Sequence, residues 1–313
     1  MKCMKSIYGW ISLFLAFIFL VLPLTSVKGE VGAQPVSSQI QKEEVTFRLK
    51  DKESGEISVI TARDYILGVV SAEMPASYHI EALKAQTVAA YTFALWRKNE
   101  NKKEDFDITS DSNLDQAYIN KEGRSKKWGE KEGEYTEKIL SAVDSVLGQT
   151  VTYDGKIALT LYTAISGGKT ENVKNLWGKE YPYLVPVESV GDLLSPNYLT
   201  TVEFKKEQLT EKLEKISDVP LKDWFSSPVY SDSGTVLSYK FGDITLTGKE
   251  IRSALNLRSA NFDVTAKDNV FTFTVRGYGH LVGMSQYGAN YMAQQGNSYK
   301  EILKWYYKGT EII

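Results

Sequence analysis

Residues 65–96 read YILGVVSAEMPASYHIEALKAQTVAAYTFALW, and one carboxylate, Glu73, stands there between two nearly apolar helical runs. Burial disfavours the ionised form of a carboxyl group and raises its pKa. A carboxylic acid that stays protonated near neutral pH is what general acid catalysis needs. A glutamate at a helix end pointing into water is the competing reading of the same residue.

Working outward, Thr61 has the character of an N-cap, with Asp64 supporting the first turn and Ile66, Val69 and Val70 forming an apolar stripe. Pro75 cannot continue that helix, so Glu73 falls at its end, beside a bend. A second helix is expected over 79–97. Its Ala, Leu, Thr, Tyr and Phe positions lie almost all round, as in a helix packed centrally.

Upstream, 45–49 and 57–60 alternate as strands joined by a turn at Lys52-Glu53-Ser54-Gly55. Downstream, 99–135 is a charged, Gly-containing insertion, read as solvated. A helix over 137–146 ends at Gly148, and Asp154-Gly155 is a two-residue hairpin signal between 149–153 and 156–163. Residues 200–265 mix a helical pattern at 205–215 with strands at 237–241 and 244–246, a candidate second lobe. A strand at 271–275 runs into Arg276-Gly277-Tyr278-Gly279-His280, a helix follows over 284–295, and Ser298-x-x-Glu301 is a capping box opening the last helix. Helices and hairpins do not alternate as parallel sheets require. The expected class is α+β, with helices packed on antiparallel sheet and two lobes around a groove.

The 313 residues are 42% hydrophobic with 19 Tyr and 6 Trp, ample for a sizeable core. A formal charge of -2 offers no basic field for nucleic acid. Two histidines, His79 and His280, and the single Cys3 leave little material for a zinc site and none for an internal disulfide. Lys2 and Lys5 precede a mostly apolar run at 7–24, so residues 1–29 read as a signal peptide or N-terminal membrane anchor, and 30–44 as a polar linker. The body, 45–313, is then exported, either secreted or anchored at a membrane.

Four segments in order resemble the SpoIID/LytB family: YILGVVSAEMPASYHIEALKAQTVAA, LYTAISGGKTENVKNLWGKEYPYL, LRSANF and GYGHLVGMSQYGANYMAQQGNSYKEILKWYYKG. The resemblance implies a lytic transglycosylase that cleaves peptide-stripped glycan strands of peptidoglycan, in sporulation or cell-wall remodelling on the outer face of a bacterial membrane. It implies Glu73 of the Glu-Met-Pro motif as the catalytic residue. Glycoside hydrolysis needs two carboxylates. A lytic transglycosylase instead uses the sugar's own 6-hydroxyl as nucleophile, leaves a 1,6-anhydro-muramoyl end, and needs one acid and no metal or organic cofactor.

Within the matched segments, Ser166, Gly167, Gly168, Thr170 and Glu171 either contact sugar or form a plain turn. Tyr162 is either a hydroxyl donor beside the cleaved bond or a core filler. His280, Ser285 and Gln286 sit at a strand-to-helix junction suited to a ligand, and His79 is read as structural.

The chain departs from the family pattern at three places. Tyr91 replaces an Arg that follows Ala-Ala in members, and Leu281 stands where members carry Gly, adding bulk that opposes a positive φ. Residues 111–116 hold neither Cys nor His where some members hold zinc. The alternatives to the enzyme are a weak glycan-binding relative that stimulates a cell-wall amidase, and a Ser/His hydrolase built on Ser285 and His280.

Overall fold

A computed structural model describes residues 44–213 and 223–313. The expected N-terminal signal or anchor and nearly all of the linker lie outside them, as does the end of the helix expected over 205–215. Among the described residues no helix is long and apolar enough to cross a membrane.

The architecture is mixed α+β. Strands β1 (Thr46–Lys50) and β2 (Ile57–Thr61) form an antiparallel hairpin, which β3 (Ile108–Thr109) joins in parallel. Helix α1 (Ala62–Glu73) follows β2 directly, capped by the Thr61 side chain, which accepts from the Asp64 N–H. Helix α2 (Ile80–Glu100) is capped by the His79 ring, which accepts from the Glu81 N–H, so His79 holds a helix end.

Helices α3 (Lys121–Trp128) and α4 (Glu132–Val146) come next. Strand β4 (Val151–Tyr153) pairs with β5 (Lys156–Ile157) across Asp154-Gly155, both at positive φ as a tight primed turn requires. Strand β6 (Tyr162–Thr163) and helix α5 (Val173–Trp177) complete this half.

The remainder runs β7 (Leu199–Lys205), α6 (Lys206–Leu213), β8 (Trp224–Tyr230), β9 (Val236–Phe241), β10 (Ile244–Thr247), α7 (Gly248–Leu255), β11 (Phe262–Lys267), β12 (Val270–Arg276), β13 (Met284–Ser285), α8 (Gln286–Gln294), α9 (Tyr299–Tyr306) and β14 (Glu311–Ile312). Sheets β10-β9-β8, β11-β12-β7 and β14-β4-β5 are antiparallel. The short β13 and β6 pair in parallel, placing Met284 opposite Tyr162 and Ser285 opposite Thr163. With β1–β3 it is one of two short parallel pairs among otherwise antiparallel strands of the described residues, as the expected α+β class allows.

Two hydrophobic clusters carry the fold. The larger surrounds α2, which meets α1, α4, α8 and α9 and buries residues on every side, as its small and apolar sequence dictates. The second gathers Phe204, Trp224, Phe241, Phe262, Phe271 and Phe273 from the strands of residues 199–276. Alternation explains it: β12 buries Phe271, Phe273 and Val275 and half-buries the residues between.

The charged insertion is only partly solvated. Asp107, Ile108, Gln116 and Arg124 are buried, and Tyr118 stacks on Tyr65 of α1. Gly68 permits this approach, since a Cβ there would sit 2.3 Å from the Tyr118 ring.

Candidate active site

Glu73 ends α1 because the chain turns extended at Met74, whose N–H closes on the Val70 carbonyl, and Pro75 forbids another turn. The half-buried side chain opens on a cavity of about 450 Å³ lined also by Gln116, Tyr162, Tyr278, His280 and Gln286. Burial pushes the Glu73 carboxyl above its ordinary value. Three weaker effects oppose it: the Ala117 N–H donating to Oε1 at 3.0 Å, the Gln286 side chain, and the charge of Lys127. Lys127 itself is anchored on the last carbonyls of α1, donating to Ser71 at 2.8 Å and Ala72 at 3.0 Å.

Tyr162 faces the same cavity at the end of a relay that begins in the core. The fully buried Tyr65 hydroxyl donates to Gln116 Oε1 at 3.2 Å, and Gln116 Nε2 donates to the Tyr162 oxygen at 2.7 Å. With its oxygen occupied as acceptor, the Tyr162 hydroxyl keeps its own proton to donate. Burial and the charge of Glu73 hold that phenol well above its usual pKa.

His280 also lines the cavity, its ring edge-on to Trp177 at 5.4 Å. Its Nδ1 accepts from the Val282 N–H at 3.1 Å. Burial, with Arg252 nearby, drops its pKa to about 4, so it is a neutral hydrogen-bonding group.

The other candidates lie elsewhere. Ser166 and Ser285 are fully buried on one carboxylate, Asp192 of the 190–194 turn: Ser166 Oγ at 2.5 Å and its N–H at 2.9 Å from Oδ2, Ser285 Oγ at 2.7 Å from Oδ1. Ser285 also caps α8 and has no bond to His280, so the Ser/His pairing does not form. Buried Glu171 accepts from the Asn172 N–H at 2.7 Å, Asn175 Nδ2 at 2.8 Å and Ser231 Oγ at 2.5 Å. Buried Thr170 accepts from the Val187 N–H. Gly167 accepts from the Tyr198 hydroxyl, and Gly168 from the Ser189 N–H. This segment is the bracket behind the cavity rather than its wall.

Sequence reading missed Gln116, Asp115 and Asp192. Asp115 lines the cavity, pairs with Arg97 and accepts from the Thr109 N–H, while Asp111 pairs with Lys52. With both aspartates engaged and neither thiolate nor imidazole in 111–116, those residues do not fit a zinc ion. Tyr91 is buried in the main core, away from the cavity wall.

Comparison with known proteins agrees with the four matched segments. Stage II sporulation protein D of Bacillus subtilis (strain 168) is 34% identical over 297 residues, covering 92% of this chain and 85% of that protein. The chain belongs to the SpoIID family. The family's own description, Stage II sporulation protein, matches residues 50–153, which include Glu73 and Gln116. The Bacillus amyloliquefaciens stage II sporulation protein D is 32% identical, covering 92% and 83% of the two chains. A more distant relative, the amidase enhancer of Bacillus subtilis (strain 168), is 27% identical over 78% of this SpoIID chain and 40% of its own length.

Leu281 is the one departure from the family pattern that the backbone has accommodated. It takes φ +69° despite its side chain, held by its N–H on Thr163 Oγ1 and its carbonyl receiving the Glu171 N–H. A β-carbon in that region costs about 1–2 kcal/mol.

Proposed function

We propose that the protein is a lytic transglycosylase that cleaves peptide-stripped glycan strands of peptidoglycan, exported or anchored at the cell-wall face during sporulation. The observation that carries this is Glu73: a carboxyl group, protonation favoured by burial, at the wall of a polar cavity whose other carboxyl group, Asp115, is already paired with Arg97. Glu73 gives its proton to the glycosidic oxygen, the bond from that oxygen to muramoyl C1 breaks, and the departing sugar leaves with a free hydroxyl. The muramoyl 6-hydroxyl then closes on C1 and returns its proton to the Glu73 carboxylate. Atoms balance without water, so one carboxyl group suffices where hydrolysis needs two. The Tyr162 hydroxyl and neutral His280 hold sugar hydroxyls, and Tyr278, 46% exposed at the mouth, offers its ring to a sugar face.

Digestion of purified, amidase-treated peptidoglycan tests this. Wild type should release fragments with anhydro-muramoyl ends, and Glu73→Gln should release none while still binding the strands. Product formation by Glu73→Gln overturns the assignment.

The relative named amidase enhancer favours a second reading, a glycan-binding protein that stimulates a cell-wall amidase. Under it, strands are bound without products and Glu73→Gln stimulates an added amidase as well as wild type does.

A further inference from the structure

Behind His280 lies a second, smaller cavity of about 150 Å³, whose lining includes Arg252, Lys249, Thr235 and Asn175 and which shares His280 with the Glu73 cavity. Arg252 is half-buried and spends its Nε on the Leu257 carbonyl at 3.3 Å. Among the described residues it has no carboxylate partner, and burial lowers its pKa, the mark of a cation without its counter-charge. Thr235 is 2% exposed, and its Oγ1 has no hydrogen-bond partner. A buried hydroxyl left unpaired is costly and points to a missing ligand.

The acids next to lining residues in the chain or bonded to them are already committed. Glu250 caps its own helix through Thr247 at 2.7 and 2.9 Å, and Glu171 is enclosed by Asn172, Asn175 and Ser231. Among the described residues, the cavity lining therefore offers two cations and a hydroxyl donor, and holds no carboxylate.

We propose that this cavity binds the free lactyl carboxylate of a muramoyl residue, with Arg252 and Thr235 as its specificity-determining residues. The inference rests on the transglycosylase reading above, with His280 lining both cavities. It gives that reading a physical source of selectivity. Removing the peptide uncovers a carboxylate that the Arg252 fork can pair with, whereas a peptide-bearing lactyl group is a neutral amide. A stem of several residues would also not fit in about 150 Å³.

The test compares two substrates: amidase-stripped strands, and the same strands with lactyl carboxylates converted to methyl amides by carbodiimide coupling. Wild type should cleave the acid form with a kcat/KM higher by about tenfold or more, the loss expected for one charge-assisted pair. Arg252→Gln should bring the ratio near one. Thr235→Val, nearly isosteric, should lower it several-fold, and carries the test if the arginine variant melts early.

Equal cleavage of both strands by wild type, or a preference that survives in Arg252→Gln, overturns the carboxylate site. The transglycosylase reading fails separately, when wild type yields no anhydro ends from either strand. Strand binding by Glu73→Gln then still reads the carboxylate preference directly, and a tighter acid form lost on adding Arg252→Gln supports the site.

Discussion

Burial raises the Glu73 pKa against three groups that favour its charge, the Ala117 N–H, Gln286 and Lys127. A carboxyl whose folded pKa is raised stabilises the fold fully below its unfolded value and loses that contribution as pH rises through the folded value. Glu73→Gln should therefore raise the melting temperature at pH 7, and the gain should vanish below about pH 4. Activity, needing the acid form, should fall along a limb whose midpoint lies above 4.5. Lys127→Met should move that limb to higher pH, since it removes a charge that favours the carboxylate; a limb that moves down or stays refutes the coupling. Gln116→Ala should lower kcat roughly tenfold with KM little changed, because it frees the Tyr162 hydroxyl to turn away. Equal loss from a conservative Gln116→Glu would show that the amide donor matters as well as the volume.

At the scale of elements, the position of Glu73 depends on where α1 starts and stops. Thr61→Ala removes the cap on the Asp64 N–H and should cost about 1 kcal/mol in denaturant melts. The β6–β13 pair, which sets Tyr162 opposite Met284, depends on Gly283 at φ +74°, where an added Cβ would lie 1.9 Å from the Leu161 carbonyl oxygen. Gly283→Ala should destabilise by about 3 kcal/mol, since backbone strain and a backbone clash add. Both glycine-turn and capping signals were legible beforehand at Thr61, Asp154-Gly155 and Ser298-x-x-Glu301, because each depends on residues three or fewer apart. The parallel β6–β13 pair was not, since its strands are two residues long and lie far apart in the chain.

Across the whole molecule, Asp192 ties the segment after β6 to the start of α8, receiving Ser166 and Ser285 on its two oxygens. Asp192→Ala leaves buried hydroxyls and an N–H unpaired and should cost about 3 kcal/mol or more by chemical denaturation, with loss of activity following loss of fold. The amino-acid sequence by itself determined the α+β class, the central helix around 80–97 and the carboxylate at the end of its neighbour, because hydrophobic period, capping and proline act locally. Tertiary structure alone decided which polar residues meet Glu73. Ser166, Thr170, Glu171 and Ser285 looked like site residues and are internal brackets, while Gln116, in a charged insertion read as solvated, reaches the cavity. The physical reason is that a polar side chain needs a partner wherever it is buried, and whether that partner is protein or ligand is fixed only by long-range packing.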